Sequence, residues 1–431
     1  MDGDGHTHTM DTPPAPKLDR PHWGGTGADL TFLLPTDRQR ALGGGGSWVQ
    51  PPPAPAGAMA GGRGGGSRDG LGFLLDQSPS GSGAGHAAGW DPQAATAGRA
   101  ASAAAEAACA ARWRGRWPQL EAQLVAGGGI AALKKGRQRG AHRELKRMCR
   151  GGVPRDLRKA VWLRVSGALE RQRAAEAGYY HRLLTRTDAL DPVVKRQIEG
   201  DLHRTYPKHP VIDTPEGIGT LGRILSAFAV HDPHVGYVQG LNFITGLILI
   251  VLGAEAEEQA FWVLASAVED KMYKGCYAPD LNGCHVEQRV LRRLIKSKVP
   301  KVHRKMKEFD CNIILFTTEW FLCLFTRSMP AETAARIWDA FLLEGSKVLF
   351  RVALALFKSV EDELAETTNI AEMLQIVRGT AQGSHDRERV MRIAFSRQQL
   401  GSFPMRRITA IRAEVQQDVD LDLAKFAEPR T

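Results

Sequence analysis

Residues 198–207 read IEGDLHRTYP, and the rest of the chain is organised around this stretch. Ile198 and Leu202 lie one helical turn apart and can share an apolar face, while the proline at the end prevents the helix from continuing. Asp201 and Arg204 are also one turn apart, so their side chains can form an ion pair. The pattern predicts the end of a helix from which an arginine projects.

A second stretch, residues 236–242, reads GYVQGLN and leads directly into the apolar segment Phe243–Leu252. Gln239 therefore stands at a helix entrance, and Gly240 beside it lets another part of the backbone come close. The apolar segment is too short to span a membrane, and its nearly uniform apolarity predicts a central helix that is buried on all sides.

Arginine and glutamine are an unusual pair for most kinds of catalysis. Neither is a useful nucleophile or general base at neutral pH, but an arginine can stabilise spread negative charge and a glutamine can orient a water molecule. GTP hydrolysis requires both of these effects. Spacing alone favours a simpler interpretation, in which Arg204 forms a surface ion pair of little energetic worth and Gln239 lies in a turn.

Both stretches resemble the two finger motifs of the TBC domain, the fold of GTPase-activating proteins for Rab GTPases. The family patterns are I-x-x-D-x-x-R, matched here up to Arg204, and Y-x-Q, matched by Tyr237 and Gln239. Residues 150–162 resemble a further family pattern, R-x-G-[IV]-P-x-x-x-R-x-x-x-W. Later matches follow in order at residues 275–281, 319–325 and 336–345, so that the resemblance covers roughly residues 148–400.

The resemblance implies an all-α fold, a multi-helix TBC domain of two helical subdomains, and a function as an activator of Rab GTPases in vesicle trafficking. Such an activator is not itself an enzyme, since it supplies catalytic residues in trans to its partner. Arg204 would bind oxygens of the β- and γ-phosphates, and Gln239 would align the attacking water. No cofactor of its own is implied, because the partner GTPase holds the GTP and Mg²⁺.

The other motif residues would have supporting roles. Asp201 would orient Arg204 through an ion pair, and Tyr237 would fix the geometry of the glutamine loop. Arg158 is expected to be mainly structural, with a position near the catalytic groove as the alternative. Asn242 could make a polar contact at the start of its helix or could touch the GTPase, and the sequence leaves both open.

Two positions depart from the family pattern. The family often has serine before the tyrosine and methionine after the second glycine, where this chain has Gly236 and Leu241. Neither position supplies catalytic chemistry. A glycine could loosen the loop, so the departure affects the expected rate and not the expected mechanism.

The first 111 residues have a composition unlike that of the rest. They hold 22 of the 46 glycines and the tract at residues 61–70, which reads GGRGGGSRDG. This segment cannot bury enough apolar surface to offset its ordering entropy, so residues 1–111 are predicted to be disordered. The tract faintly resembles RNA-binding tails, but only two arginines contribute, and nucleic-acid binding is not favoured.

The formal net charge of +10 is concentrated in residues 112–150, which carry 11 basic and 2 acidic residues. Such a block could attract anionic membrane lipid and give peripheral membrane contact. The alternative, which we favour, is a basic lead-in segment at residues 112–147 that packs on the main domain. Four apolar residues recur at helical spacing within it and could make that contact: Trp113, Trp117, Leu120 and Leu124.

The remaining boundaries follow from the resemblance and from composition. Residues 148–365 are predicted to form the core of the TBC domain, and residues 366–403 its closing helices. Residues 404–431 are mixed and charged, and they are expected to form a frayed tail.

Other features limit the choice of compartment and chemistry. No secretory signal and no long apolar stretch is visible, and the six cysteines include no C-x-x-C pair. These features predict a cytoplasmic protein, which would be peripheral on endomembranes if the basic block binds lipid. Cys276, Cys284 and His285 fit no zinc pattern well, so no metal site is expected. An effector or scaffold that binds Rab-GTP without hydrolysing it is the main functional alternative, and RNA or lipid binding would be an added function.

Overall fold

The structure, a computed structural model, describes residue 71, residues 92–133 and residues 138–427. Regular secondary structure in these residues is helical throughout, as the sequence predicts. The prediction of disorder for residues 1–111 falls largely on residues 1–70 and 72–91, which lie outside the described residues.

The first helices form the lead-in and one side of the domain. They are α1 (Pro92–Gly127), α2 (Ile130–Leu133), α3 (Arg139–Arg150), α4 (Arg155–Ser166), α5 (Ala168–Ala174) and α6 (Tyr179–Leu184). Helix α1 includes residues 92–111, which we expected to be disordered. Most positions of residues 93–111 are alanine, the residue with the highest helix propensity, and this favours a helix despite the low hydrophobicity.

The lead-in segment packs on the domain through the four apolar residues that the sequence singled out. Trp113, Trp117, Leu120 and Leu124 are all buried in the main hydrophobic core. The indole of Trp113 also donates a hydrogen bond to the Gly152 carbonyl at 2.7 Å. The packing prediction for this segment is therefore confirmed.

The central helices carry the two motif stretches. They are α7 (Pro192–Leu202), α8 (Pro215–His231), α9 (Leu241–Leu252) and α10 (Glu257–Ala265). Asp191 caps α7 by accepting from the Val193 amide, and Thr214 caps α8 by accepting from the Gly217 amide. Helix α9 is the predicted central helix, and most of its side chains are fully buried.

The C-terminal half continues as helices to the end of the described residues. They are α11 (Asn282–Lys298), α12 (Pro300–Glu308), α13 (Ile314–Leu322), α14 (Ala331–Glu344), α15 (Lys347–Ser359), α16 (Glu361–Ala365), α17 (Ile370–Gln382), α18 (Arg387–Phe395) and α19 (Met405–Ala427). The described residues share one continuous hydrophobic core. None of their helices is long and apolar enough to cross a membrane.

The expected frayed tail after residue 403 is wrong for residues 405–424. Helix α19 buries an apolar stripe of four residues, namely Ile408, Ile411, Val415 and Val419. Arg412 on the same helix forms a two-bond ion pair with the buried Glu287 of α11. Apolar residues at helical spacing lie between the charges of this segment, and their burial holds the helix on the domain in spite of its polar composition.

Candidate functional site

Arg204 lies in the turn that follows α7. Ile198 and Asp201 are buried and anchor the last turn of that helix, which ends at Leu202. The side chain of Arg204 is 51% exposed, whereas that of Asp201 is 4% exposed, and the two form an ion pair. The structure therefore holds the guanidinium at the surface by a carboxylate that is fixed in the interior.

Gln239 lies in the loop before α9, between two glycines with positive φ. Gly236 has φ 59° and Gly240 has φ 116°, both in the region that favours glycine. A Cβ at Gly240 would come within 3.0 Å of the Cys323 sulfur, so the loop packs against the chain after α13 at this point. Gln239 itself is partly exposed, and no hydrogen bond ties its amide to any described residue.

A tyrosine connects this loop to the arginine turn. The Tyr237 hydroxyl donates to Oδ2 of Asp201 at 2.5 Å, while Oδ1 of the same carboxylate faces Arg204. Burial and the hydrogen bond to Asp201 raise the pKa of Tyr237 far above its ordinary value, so the phenol remains a neutral donor. One buried carboxylate thus joins the two motif stretches.

A second connection runs through Asn242 at the start of α9. Its Oδ1 accepts from the Gly240 amide at 3.1 Å, and its Nδ2 donates to the Thr205 hydroxyl at 2.7 Å. That hydroxyl donates in turn to the Asp201 carbonyl at 2.7 Å. Asn242 is 0% exposed, which supports the polar contact at the helix start and leaves no surface for a partner to touch.

Two residues of this site were not identified from the sequence. Thr205 forms part of the second connection described above. The hydroxyl of Tyr206 donates to the carbonyl oxygens of Phe243 (3.2 Å) and Thr326 (3.1 Å). The ring of Tyr206 lies where a Cβ of Gly246 would be, at 2.8 Å, so only a glycine fits there. A glycine inside the most apolar helix was the available signal for this close approach.

Arg158 is not brought to the other candidate residues. It is 4% exposed and donates to both carboxylate oxygens of Asp339 on α14, with Glu332 as a further partner at 3.5 Å. Trp162 and the Val153 amide also donate to Asp339. Arg158 therefore holds α4 against α14 in the interior, in agreement with the structural role expected for it and not with the alternative near the groove.

The basic residues of the lead-in segment are partly neutralised. Arg114 pairs with Asp156, and Arg116 pairs with Glu144. Two more, Lys146 and Arg150, share the largely buried Glu344 on α14. The charge of residues 112–150 is thus used in part to attach this segment to the domain.

In the described part of the chain, no group of three or more His, Cys, Asp or Glu side chains is arranged to hold a metal ion. Cys276 and Cys284 are buried in the core, and burial raises the pKa of the Cys284 thiol to about 12. These cysteines therefore pack as small apolar side chains.

The described residues thus form an all-helical domain in which one buried carboxylate joins the arginine turn to the glutamine loop. The family model described as Rab-GTPase-TBC domain matches residues 155–365. The chain belongs to this family.

Individual relatives agree with this assignment. Mouse TBC1 domain family member 2A is 37% identical over 285 residues, which are 66% of this chain and 30% of that protein. Human growth hormone-regulated TBC protein 1 is 35% identical over 266 residues, 61% of this chain and 75% of that one. The solved structure of the Chlamydomonas flagellar RabGAP TBC domain is 33% identical with a TM-score of 0.59, and it aligns over 77% of this chain and its own full length.

Proposed function

We propose that this chain is a GTPase-activating protein for Rab-type GTPases and that it supplies Arg204 and Gln239 in trans to the GTP of its partner. Family membership supports the class of activity. The observation that carries the assignment of residues is the Asp201 carboxylate, which contacts both Arg204 and Tyr237. This connection fixes the position of the arginine turn relative to the glutamine loop. Both side chains must be held in this way if they are to act on one nucleotide.

The arginine would neutralise charge that develops on the transferred phosphate. Its planar guanidinium can donate two parallel hydrogen bonds and stays charged at every physiological pH. Arg204 is half exposed, so its fork can reach a partner without unfolding any element. An arginine supplied to a GTPase in this way accelerates hydrolysis by roughly 10³–10⁵-fold, which corresponds to about 4–7 kcal/mol of barrier.

The glutamine would orient the attacking water. An amide that accepts from the water and donates to a phosphate oxygen suits this role, because it needs no change of protonation. Gln239 has no hydrogen-bond partner among the described residues and is therefore available to a ligand. The partner GTPase, bound to GTP and Mg²⁺, would contribute the nucleotide and the metal ion.

The other residues of the site hold Arg204 and Gln239 in position. Catalysis by an external arginine depends on placement, and an error of ~1 Å can cost ~100-fold in rate. Asp201 and Tyr237 set the arginine turn against the glutamine loop, while Asn242 and Thr205 hold the backbone of both. These four are positioning residues in this proposal.

The test is stimulated GTP hydrolysis by the full chain across a panel of purified Rab GTPases. We expect at least one Rab to be accelerated, and we expect Arg204→Ala to remove roughly 10³-fold or more of that acceleration, with Gln239→Ala also strongly impaired. Arg182→Ala is the matched control, since Arg182 is a similarly exposed arginine that pairs with the exposed Glu176. An Arg204→Ala protein with unchanged activity and unchanged helical content would reject the mechanism.

The same panel separates the activator from an effector or scaffold. A protein that binds Rab-GTP and leaves its hydrolysis rate unchanged on every member belongs to the second class. In the activator proposal the protein works in the cytoplasm and regulates vesicle trafficking. Fractionation of cells that express the tagged chain tests that location.

A further inference from the structure

Helix α11 carries a group of cations that have no carboxylate partner among the described residues. The lead-in segment has several of its cations in ion pairs, whereas Arg292, Arg293 and Lys296 have no carboxylate within salt-bridge distance among the described residues. All three are exposed and lie within little more than one helical turn. The face of α11 therefore carries an uncompensated positive potential.

These cations line a cleft between α11 and α19. The cleft has a volume of about 590 Å³, and its walls include Arg289, Arg292, Arg293, Lys296 and, from α12, His303. A second cleft of about 450 Å³ shares Arg293 and Lys296 with the first and adds Arg407 of α19. The two together form one basic groove along α11, which we call the α11 cleft.

The charges inside the α11 cleft do not balance. Five permanent cations line its two parts, and three carboxylates, those of Glu414, Asp418 and Asp422, leave a net charge of +2. Arg289 donates to Asp422 at 2.5 Å through one nitrogen, but its Nη1 is buried without a hydrogen-bond partner. A buried guanidinium nitrogen with no acceptor among the described residues is unfavourable.

The pKa of His303, the histidine in the cleft, is affected by the same excess of positive charge. Burial lowers the pKa of His303, and the neighbouring cations Arg292, Lys296 and Lys307 lower it further. A field that opposes one more positive charge attracts negative charge to the same place.

We propose that the α11 cleft binds a ligand with two or more phosphate groups, either the headgroup of a phosphorylated inositol lipid or a free inositol polyphosphate. Three arginines and a lysine line its larger part, and the guanidinium geometry matches phosphate oxygens. The volume lies within the usual range for small-molecule sites, roughly 300–1,000 Å³.

Two observations narrow the ligand class. No phenyl, phenol or indole ring lines either part of the cleft, so the stacking that single-stranded nucleic acid requires is missing there. Leu421 lies at the cleft with 61% of its surface exposed, the largest exposed fraction among the big apolar side chains of the described residues. An apolar side chain beside a phosphate site suits the surface of a membrane and favours the lipid source.

The experiment measures binding by the full-length protein to two probes. Titration calorimetry with inositol hexakisphosphate tests the free ligand. Sedimentation with vesicles that contain phosphatidylinositol bisphosphate tests the lipid, and vesicles of equal surface charge made with phosphatidylserine control for general attraction. The test variant is Arg292→Gln/Lys296→Gln, and the matched control is Arg143→Gln/Arg147→Gln, which removes two exposed charges from the lead-in segment.

We expect the wild-type chain to bind the bisphosphate vesicles more tightly than the phosphatidylserine vesicles. The α11 variant should bind roughly thirty-fold more weakly, because two cations near an anionic surface each contribute about a five-fold effect, and the lead-in variant should bind as the wild type does. If the protein binds the soluble polyphosphate but not the vesicles, the proposed site is supported and its ligand is a free inositol polyphosphate. Unchanged binding in the α11 variant, equal binding to both vesicle types, or no binding of either probe would overturn the proposal.

Discussion

The side-chain amide of Asn242 donates to the hydroxyl of Thr205 at 2.7 Å, so the first turn of α9 is hydrogen-bonded to the turn that presents Arg204. Both side chains are buried, and the Thr205 hydroxyl in turn donates a hydrogen bond to the Asp201 carbonyl. The two catalytic candidates therefore belong to one rigid joint that is built from short polar side chains. The first four of the following predictions each change one part of that joint or of its support.

A double-mutant cycle on Thr205→Val and Asn242→Ala should show coupling. Each single change leaves a buried polar group without its partner, and we expect each to lower the free energy of unfolding by about 1–3 kcal/mol. Because the two residues share one hydrogen bond, their effects should differ from additivity by roughly 0.5–3 kcal/mol in urea unfolding. Thr245→Val is the control, since its buried hydroxyl bonds only to the carbonyl of Leu241 in its own helix, and it should show no coupling to Asn242.

Tyr237→Phe should reduce activity more than its effect on stability explains. The change removes the phenol that donates to Asp201 and frees the glutamine loop, so we expect stimulated GTP hydrolysis to fall by roughly 10–100-fold. Tyr180→Phe is a close match, because Tyr180 is also buried and donates to a carboxylate, that of Glu257, at 2.7 Å. Similar losses of activity in the two variants, measured at matched folded fractions, would contradict the positioning role.

Asp201→Asn should leave the fold largely intact and slow the stimulated reaction. The amide keeps the size of the carboxylate but loses the charge that orients Arg204, and we expect a drop of about 10–100-fold in single-turnover hydrolysis with Rab binding retained. Asp156→Asn breaks the exposed ion pair with Arg114, and such a pair contributes little, so this variant should behave as the wild type does. A normal rate in Asp201→Asn would show that the ion pair does not place the arginine.

Alanine at the two glycines of the glutamine loop should give unequal effects. Gly240→Ala places a Cβ 3.0 Å from the Cys323 sulfur and 3.1 Å from the Leu322 carbonyl oxygen, in addition to the strain of its positive φ. At Gly236 the nearest atom would be the Pro233 carbonyl oxygen at 4.0 Å, so only the backbone strain of about 1–2 kcal/mol remains. Thermal unfolding should therefore show Gly240→Ala to be clearly the less stable of the two.

Arg412→Leu should destabilise the protein in a pH-dependent way. Removal of one partner of a buried ion pair costs about 3–5 kcal/mol, whereas Arg387→Leu, which breaks a more exposed pair with Glu106, should cost about 0–1 kcal/mol. Burial raises the pKa of Glu287 even with Arg412 present, and the loss of Arg412 should raise it further. A carboxyl with a raised pKa stabilises the fold fully below its unfolded pKa, and this contribution disappears as the pH rises through the folded value. Urea unfolding should accordingly show a smaller deficit for Arg412→Leu in mildly acidic than in neutral buffer.

Local sequence patterns were sufficient for several elements. The buried character of α9 and the apolar spacing of Trp113 and Trp117 both describe neighbours along the chain, and the structure agrees with them. The same kind of reasoning was wrong for α19. Its mixed, charged composition was given more weight than the helical spacing of its apolar residues.

The sequence by itself determined the helix end that carries Arg204, the helix entrance that carries Gln239, and the ion pair between Asp201 and Arg204, because each depends on residues one turn or one loop apart. Only the tertiary structure decided that Tyr237 and Asn242 join those stretches, that Arg158 is an interior ion-pair partner of Asp339, and that unpaired cations gather on α11. The physical reason is that a hydrogen bond or an ion pair between distant segments depends on how the helices pack, and packing is a property of the whole core.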